Sequence, residues 1–72
     1  MTRRKMLESM SQTVYGTMHA GDFNKNDFAD AWIEHYGPKW CPPTRGLHFW
    51  IMRTSAKIIG ENNRGKIYRK GD

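Results

Sequence analysis

Residues 23–37 spell out a helix together with both of its ends. Asn24 stands at the N-cap with Asp27 three residues on, a capping-box pair in which Asp takes the place of the usual Glu or Gln. Phe23 and Phe28 occupy the two positions of a hydrophobic staple around that cap, and Gly37-Pro38 stops the helix. Phe28, Ala29, Trp32 and Tyr36 share one face, while Asp27, Asp30 and Glu34 line the opposite one. The spacing predicts a helix over about 24–36 with one stripe to bury and one acidic face, which a phosphate would repel.

A first helix is predicted over about 2–19. Leu7, Met10, Val14 and Met18 recur at spacings of three and four, Thr2 can cap the start, and Gly21-Asp22 ends the segment. After the second helix comes a stiff connector, Gly37-Pro-Lys-Trp-Cys-Pro-Pro43, whose Trp40 is expected to lie over the helices. Thr44 can cap a third helix over about 44–57. A wheel drawn through it puts Leu47, Trp50, Ile51 and Ile58 on one side with Thr54, and Arg45, Phe49, Met52, Arg53 and Ala56 on the other; His48 and Lys57 flank the two. A hairpin over about 57–70 closes the chain: two short β-prone runs, Lys57-Ile-Ile-Gly and Lys66-Ile-Tyr-Arg, joined by the turn-rich stretch Glu61-Asn-Asn-Arg-Gly65.

Seventy-two residues hold one domain, 1–72, with a core of little more than three short helices and a hairpin, so a deep catalytic cleft is not expected. One cysteine, Cys41, cannot build a disulfide framework within the chain. The basic start, Met1-Thr-Arg-Arg-Lys, is followed by no apolar run, and no stretch approaches the length of a membrane span, which points to a cytoplasmic protein. The net charge of +5 is unevenly spread: +3 over residues 1–5, −4 over 6–38 and +6 over 39–72. A chain with one basic half suits a polyanion, although a solubilising surface has the same composition.

Helix, helix, helix and then a basic hairpin resembles the winged helix-turn-helix family over nearly the whole chain. The fold expected is therefore mainly α with a small β-hairpin, a three-helix winged helix-turn-helix. The connector of about seven residues departs from the three or four of a tight helix-turn-helix. In size the chain also resembles small phage-encoded regulators. The resemblance implies a third helix in the major groove and a wing on the neighbouring backbone of double-stranded DNA, in a transcriptional regulator or DNA-associated accessory factor. Carried over, Arg45, His48, Phe49, Met52 and Arg53 would face the groove, and Lys57, Arg64, Lys66, Arg69 and Lys70 would hold phosphates.

The chemistry of those residues agrees with that assignment. Arg45 and Arg53 can read guanine O6 and N7 with a bidentate fork, at about 1–3 kcal/mol of discrimination each. The wing cations need only charge and reach, and Thr44 with the free N–H groups of the third helix could seat a phosphate. Lys and Arg on a hairpin can also serve to protect an edge strand from aggregation. Phe49 and Met52 are out of place in a groove except against thymine methyls; they are either core or a patch for a protein partner. Such a partner, docked on that patch or on the acidic second-helix face, is the alternative function. A third is RNA, with aromatics stacking on unpaired bases.

His19, His35, His48 and Cys41 lack the paired short spacings of a zinc site; His35 is expected to be packed in the core, and Cys41, between Trp40 and Pro42, to be structural. No phosphate-cradling glycine loop or Ser-His-Asp pattern is present, so neither cofactor nor catalysis is expected. A monomer of this size would cover one half-site at best, which makes a homodimer plausible.

Overall fold

The computed structural model describes residues 2–71. Three helices and a three-stranded antiparallel sheet follow one another as α1 (Arg3–Thr17), β1 (Gly21–Phe23), α2 (Lys25–Tyr36), α3 (Leu47–Ile51), β2 (Lys57–Asn62) and β3 (Gly65–Lys70). Two 3₁₀ turns, Pro38–Trp40 and Thr44–Gly46, stiffen the connector between α2 and α3. This arrangement is compatible with a winged-helix architecture.

The Thr2 hydroxyl accepts a hydrogen bond from the Lys5 N–H at 3.2 Å, capping α1 as expected. The helix buries Leu7, Met10, Ser11 and Val14, and the buried Ser11 hydroxyl is satisfied by the Glu8 carbonyl at 2.7 Å. It ends at Thr17, two residues before the expected His19, because the chain turns there toward a strand that sequence patterning did not reveal.

That strand, β1, pairs with β3 in the register Gly21↔Lys70, Asp22↔Arg69 and Phe23↔Tyr68. Gly21 enters it at φ 131°, a conformation that a side chain would strain. Phe23 is therefore both a strand residue and half of the staple. Its ring stacks on Phe28 at 6.1 Å and on Tyr68 at 5.5 Å, joining α2 to the sheet. The capping box of α2 is complete: Asp27 N–H to Asn24 Oδ1 is 2.9 Å, and Asn24 N–H to Asp27 Oδ2 is 3.0 Å. Gly37, at φ 91°, ends α2 by donating its N–H to the Ile33 carbonyl at 2.8 Å.

The third helix is the main correction to the sequence reading. Five residues are α-helical where about fourteen were expected. Pro43 precedes the 3₁₀ turn and Thr44 makes no side-chain cap, so Thr44 does not open the helix. At the other end, Arg53 and Thr54 donate to carbonyls three residues back rather than four, tightening the helix out of register. The Thr54 hydroxyl then bonds the Ile51 carbonyl and accepts from the Ala56 N–H at 3.2 Å, which turns the chain into β2. With the helical period lost at Thr54, the predicted faces fail beyond it: Ala56 is buried, and Ile58 stands 44% exposed on a strand.

β3 is the centre of the sheet, with β1 on one side and β2 on the other. The β2–β3 arms are longer than predicted, and their connection is only Asn63-Arg64, since Asn62 pairs directly with Gly65. Gly65, at φ 105°, permits this tight return. The core gathers α1, α2, α3 and the sheet around Trp32, Phe28, Tyr68, Leu47, Ile51 and Val14, all fully buried. Trp40 and Trp50 pack against its margin. His35, expected in the core, is exposed with its ring edge-on to Tyr36 at 4.5 Å. No helix among the described residues is long and apolar enough to cross a membrane.

Candidate nucleic-acid interface

The cations singled out by sequence divide into those left available and those already engaged. On the hairpin, the register sorts side chains between two faces. Tyr68 faces the core, so Lys66 and Lys70, two residues away on either side, lie on its face of β3, while Arg69 lies on the other. Lys57 sits directly opposite Arg69, a like-charge pair that is unfavourable unless something else neutralises it.

Asp22 does so from the far edge of the sheet. Arg69 Nε donates to Asp22 Oδ1 at 2.9 Å, and this bond and charge raise the Arg69 pKa further above its ordinary value. Lys70 is engaged too. Its ammonium donates to the Gly16 carbonyl at 3.2 Å and to that of Met18, and it lies 5.1 Å from the Tyr15 ring centroid. A cation there satisfies carbonyls at the negative end of α1. Arg69 thus ties β3 to β1 within the sheet, and Lys70 braces the sheet against the end of α1.

Lys57, Arg64 and Lys66 are exposed, and among the described residues no carboxylate lies within ion-pair distance of them. Glu61 is opposite Lys66 in the register without approaching that closely. Arg64 sits at the hairpin tip, where its N–H donates to Asn62 Oδ1 at 2.8 Å, fixing the turn that presents it.

On α3 and the turns around it, Arg45 is exposed and Thr44 is exposed beside it. His48 is half-buried, and its Nδ1 lies 2.6 Å from the Tyr68 hydroxyl, so one ring nitrogen is committed to β3. Burial raises the Tyr68 pKa above its ordinary value, which keeps that hydroxyl protonated. Arg53 donates from Nη2 to Glu8 Oε2 of α1 at 3.1 Å and lies over Phe49, its guanidinium carbon 5.4 Å from the ring centroid. Phe49 and Met52 are surface residues, 37% and 43% exposed, which removes them from the core.

The remaining candidates are spread across the fold. A shallow groove of about 570 Å³ between the end of α1 and α2 is lined by His19, His35, Asp27, Asp30 and Glu34, so the acidic face of α2 is open to solvent. Among the described residues, no three His, Cys, Asp or Glu side chains come together in a way that could hold a metal ion. Burial, and then the charge of Asp30, push the Cys41 thiol up, and its Sγ reaches the Pro42 carbonyl at 3.5 Å. A protonated, partly buried thiol is a poor nucleophile.

Comparison with protein-family models, with characterised proteins and with solved structures gave no match. The site therefore rests on its own geometry.

Sequence reading located the basic residues but not their partners. Glu8 was not singled out and Asp22 was named only as part of the end of the first helix, yet they decide the state of Arg53 and Arg69 from 45 and 47 residues away. The unmatched Asp22, the one acid between the first two helices, is the only local hint of such a role.

Proposed function

We propose that this chain is a winged-helix DNA-binding protein, a regulator or accessory factor, that grips duplex DNA through its hairpin and the α3 surface. The observation that carries this reading is the β2–β3 hairpin itself. It offers Lys57, Arg64 and Lys66 without carboxylate partners among the described residues, and the Tyr68–His48 hydrogen bond couples the hairpin to α3. Helix and wing would then meet the duplex as one body. Arg64 at the tip and Lys66 on the α3 side of the hairpin supply phosphate contacts that give affinity without sequence information, and Lys57 adds charge on the hairpin's other face. Arg45, exposed just ahead of α3, is the residue left to read a base edge. Arg69 and Lys70 support the hairpin rather than the DNA.

The test is a fluorescence-anisotropy titration of a mixed-sequence 20-base-pair duplex at several salt concentrations, beside the matching single strand. Two or three phosphate contacts, from Arg64 and Lys66 with Lys57 on the other face of the hairpin, predict a slope of log K against log salt of about −2 to −3. Absence of duplex binding at low salt, or tighter binding of the single strand, would overturn the reading.

A protein partner is the second reading, favoured by the exposure of Phe49, Met52, Ile58 and Ile59. It predicts a complex that survives high salt, unlike one held by phosphates.

A further inference from the structure

The first turn of α1 carries Arg3, Arg4 and Lys5 and no acidic residue. The N-terminal end of a helix is its positive pole, so three cations there repel both the helix and one another.

The same three-cation turn runs beside an aromatic patch. The Arg4 guanidinium carbon is 5.2 Å from the Phe49 ring centroid, and that of Arg53 is 5.4 Å from the same ring. Arg3 lies 5.7 Å from the Trp40 ring. Phe49 stacks in turn on Trp50, with centroids 4.9 Å apart and planes at 20°. A guanidinium held over a ring loses freedom without spending its N–H donors on the ring, so its fork stays ready for an anion. Arg4 has no carboxylate at ion-pair distance among the described residues. Arg53 does: Glu8, one turn beyond Arg4 on α1, holds its Nη2 at 3.1 Å in a pair that is partly open to solvent.

Resting on the DNA-binding reading above, we propose that Arg4 and Arg53, steadied by Phe49, form a clamp for a backbone phosphate of the duplex. Glu8 occupies the Arg53 fork in the free protein and gives it up to that phosphate on docking. The clamp adds α1 to the surface formed by the hairpin and α3. It also gives Phe49 a reason to be exposed: the ring carries two guanidiniums. Glu8 then acts as an internal competitor, lowering affinity by the work of exchanging one anion for another.

The experiment is the anisotropy titration with the 20-base-pair duplex, run on the full chain and on Arg4→Ala, Glu8→Gln and Glu34→Gln, each checked for folding by circular dichroism. Arg4→Ala should weaken binding several-fold and make the salt slope about one unit shallower. Glu8→Gln should tighten binding several-fold, and by more than Glu34→Gln, which makes the same charge change on α2. If Glu8→Gln does not fold, Arg53→Lys reads the same site, because it keeps the charge and loses the fork. It should weaken binding while leaving the slope in place. Wild-type binding with Arg4→Ala indistinguishable from it, or Glu8→Gln no tighter than Glu34→Gln, overturns the clamp and leaves the DNA reading standing. Failure of the wild-type chain to bind the duplex removes the DNA reading itself.

Discussion

The Tyr68 hydroxyl on β3 and Nδ1 of His48 on α3 are 2.6 Å apart, and this bond joins the last strand of the chain to its shortest helix. Tyr68 is fully buried between that bond and the Phe23 ring, so one side chain holds the hairpin, the third helix and the first strand together.

Replacing Tyr68 with Phe keeps the ring packing and removes the hydroxyl. The loss should be about 0.5–1.5 kcal/mol from the bond, with more if the His48 nitrogen is left dry. Urea unfolding would show a lower midpoint at an unchanged m-value. The pH profile gives a second reading. Burial raises the Tyr68 pKa in the folded state, and the Cys41 thiol is raised likewise. Both groups are neutral below their ordinary values, so stability is fully present there; as pH climbs past those values the unfolded chain releases its protons first, and stability falls. Thermal melts from about pH 8 to 11 should show this alkaline decline. Tyr68→Phe should flatten the upper part of the decline and Cys41→Ala the lower.

The hairpin cations should separate by pairing. Lys66→Ala removes an available charge, and the salt slope for duplex binding should become shallower by about one unit with sequence preference unchanged. Arg69→Ala removes a charge that Asp22 already neutralises. It should leave the slope nearly as it was and instead expose Lys57 to no opposing guanidinium, with little change in stability because the ion pair is exposed. Equal loss of slope in the two variants would show that Asp22 does not hold Arg69 in solution.

Asn24→Ala removes one half of the capping box and leaves the Asp27 N–H without its acceptor. The expected cost is about 0.5–2 kcal/mol. In a domain of this size that lowers Tm by several degrees for each kcal/mol lost. Differential scanning calorimetry would detect it, and an unchanged Tm would mean that the staple alone fixes the start of α2.

The second helix was legible because both of its ends and its buried stripe are local in sequence. The third was not. Its apolar spacing continues past Ile51, but Thr54 withdraws the backbone into a turn, and the choice between those outcomes depends on the path the chain must take to reach β3. β1 escaped for a related reason: three residues with one buried side chain make no pattern, and Phe23 already had a use as a staple. At the candidate site the charges could be counted from the sequence. Which of them remained available could not, since Arg53, Arg69 and Lys70 find their partners 45 to 54 residues away.

The position of β3 in the middle of the sheet bears on how the molecule comes together. The strand that β1 needs lies nearly fifty residues further along the chain, with Gly21 paired to Lys70. Closing that loop carries an entropic cost that only the completed core repays. Helices α1 and α2 can form from neighbouring contacts, yet they have no sheet to rest on until Tyr68 arrives. The hairpin, closed by two residues, can form as locally as the helices, so the step that waits for the whole chain is the pairing of β1 with β3, and the domain becomes rigid at that moment.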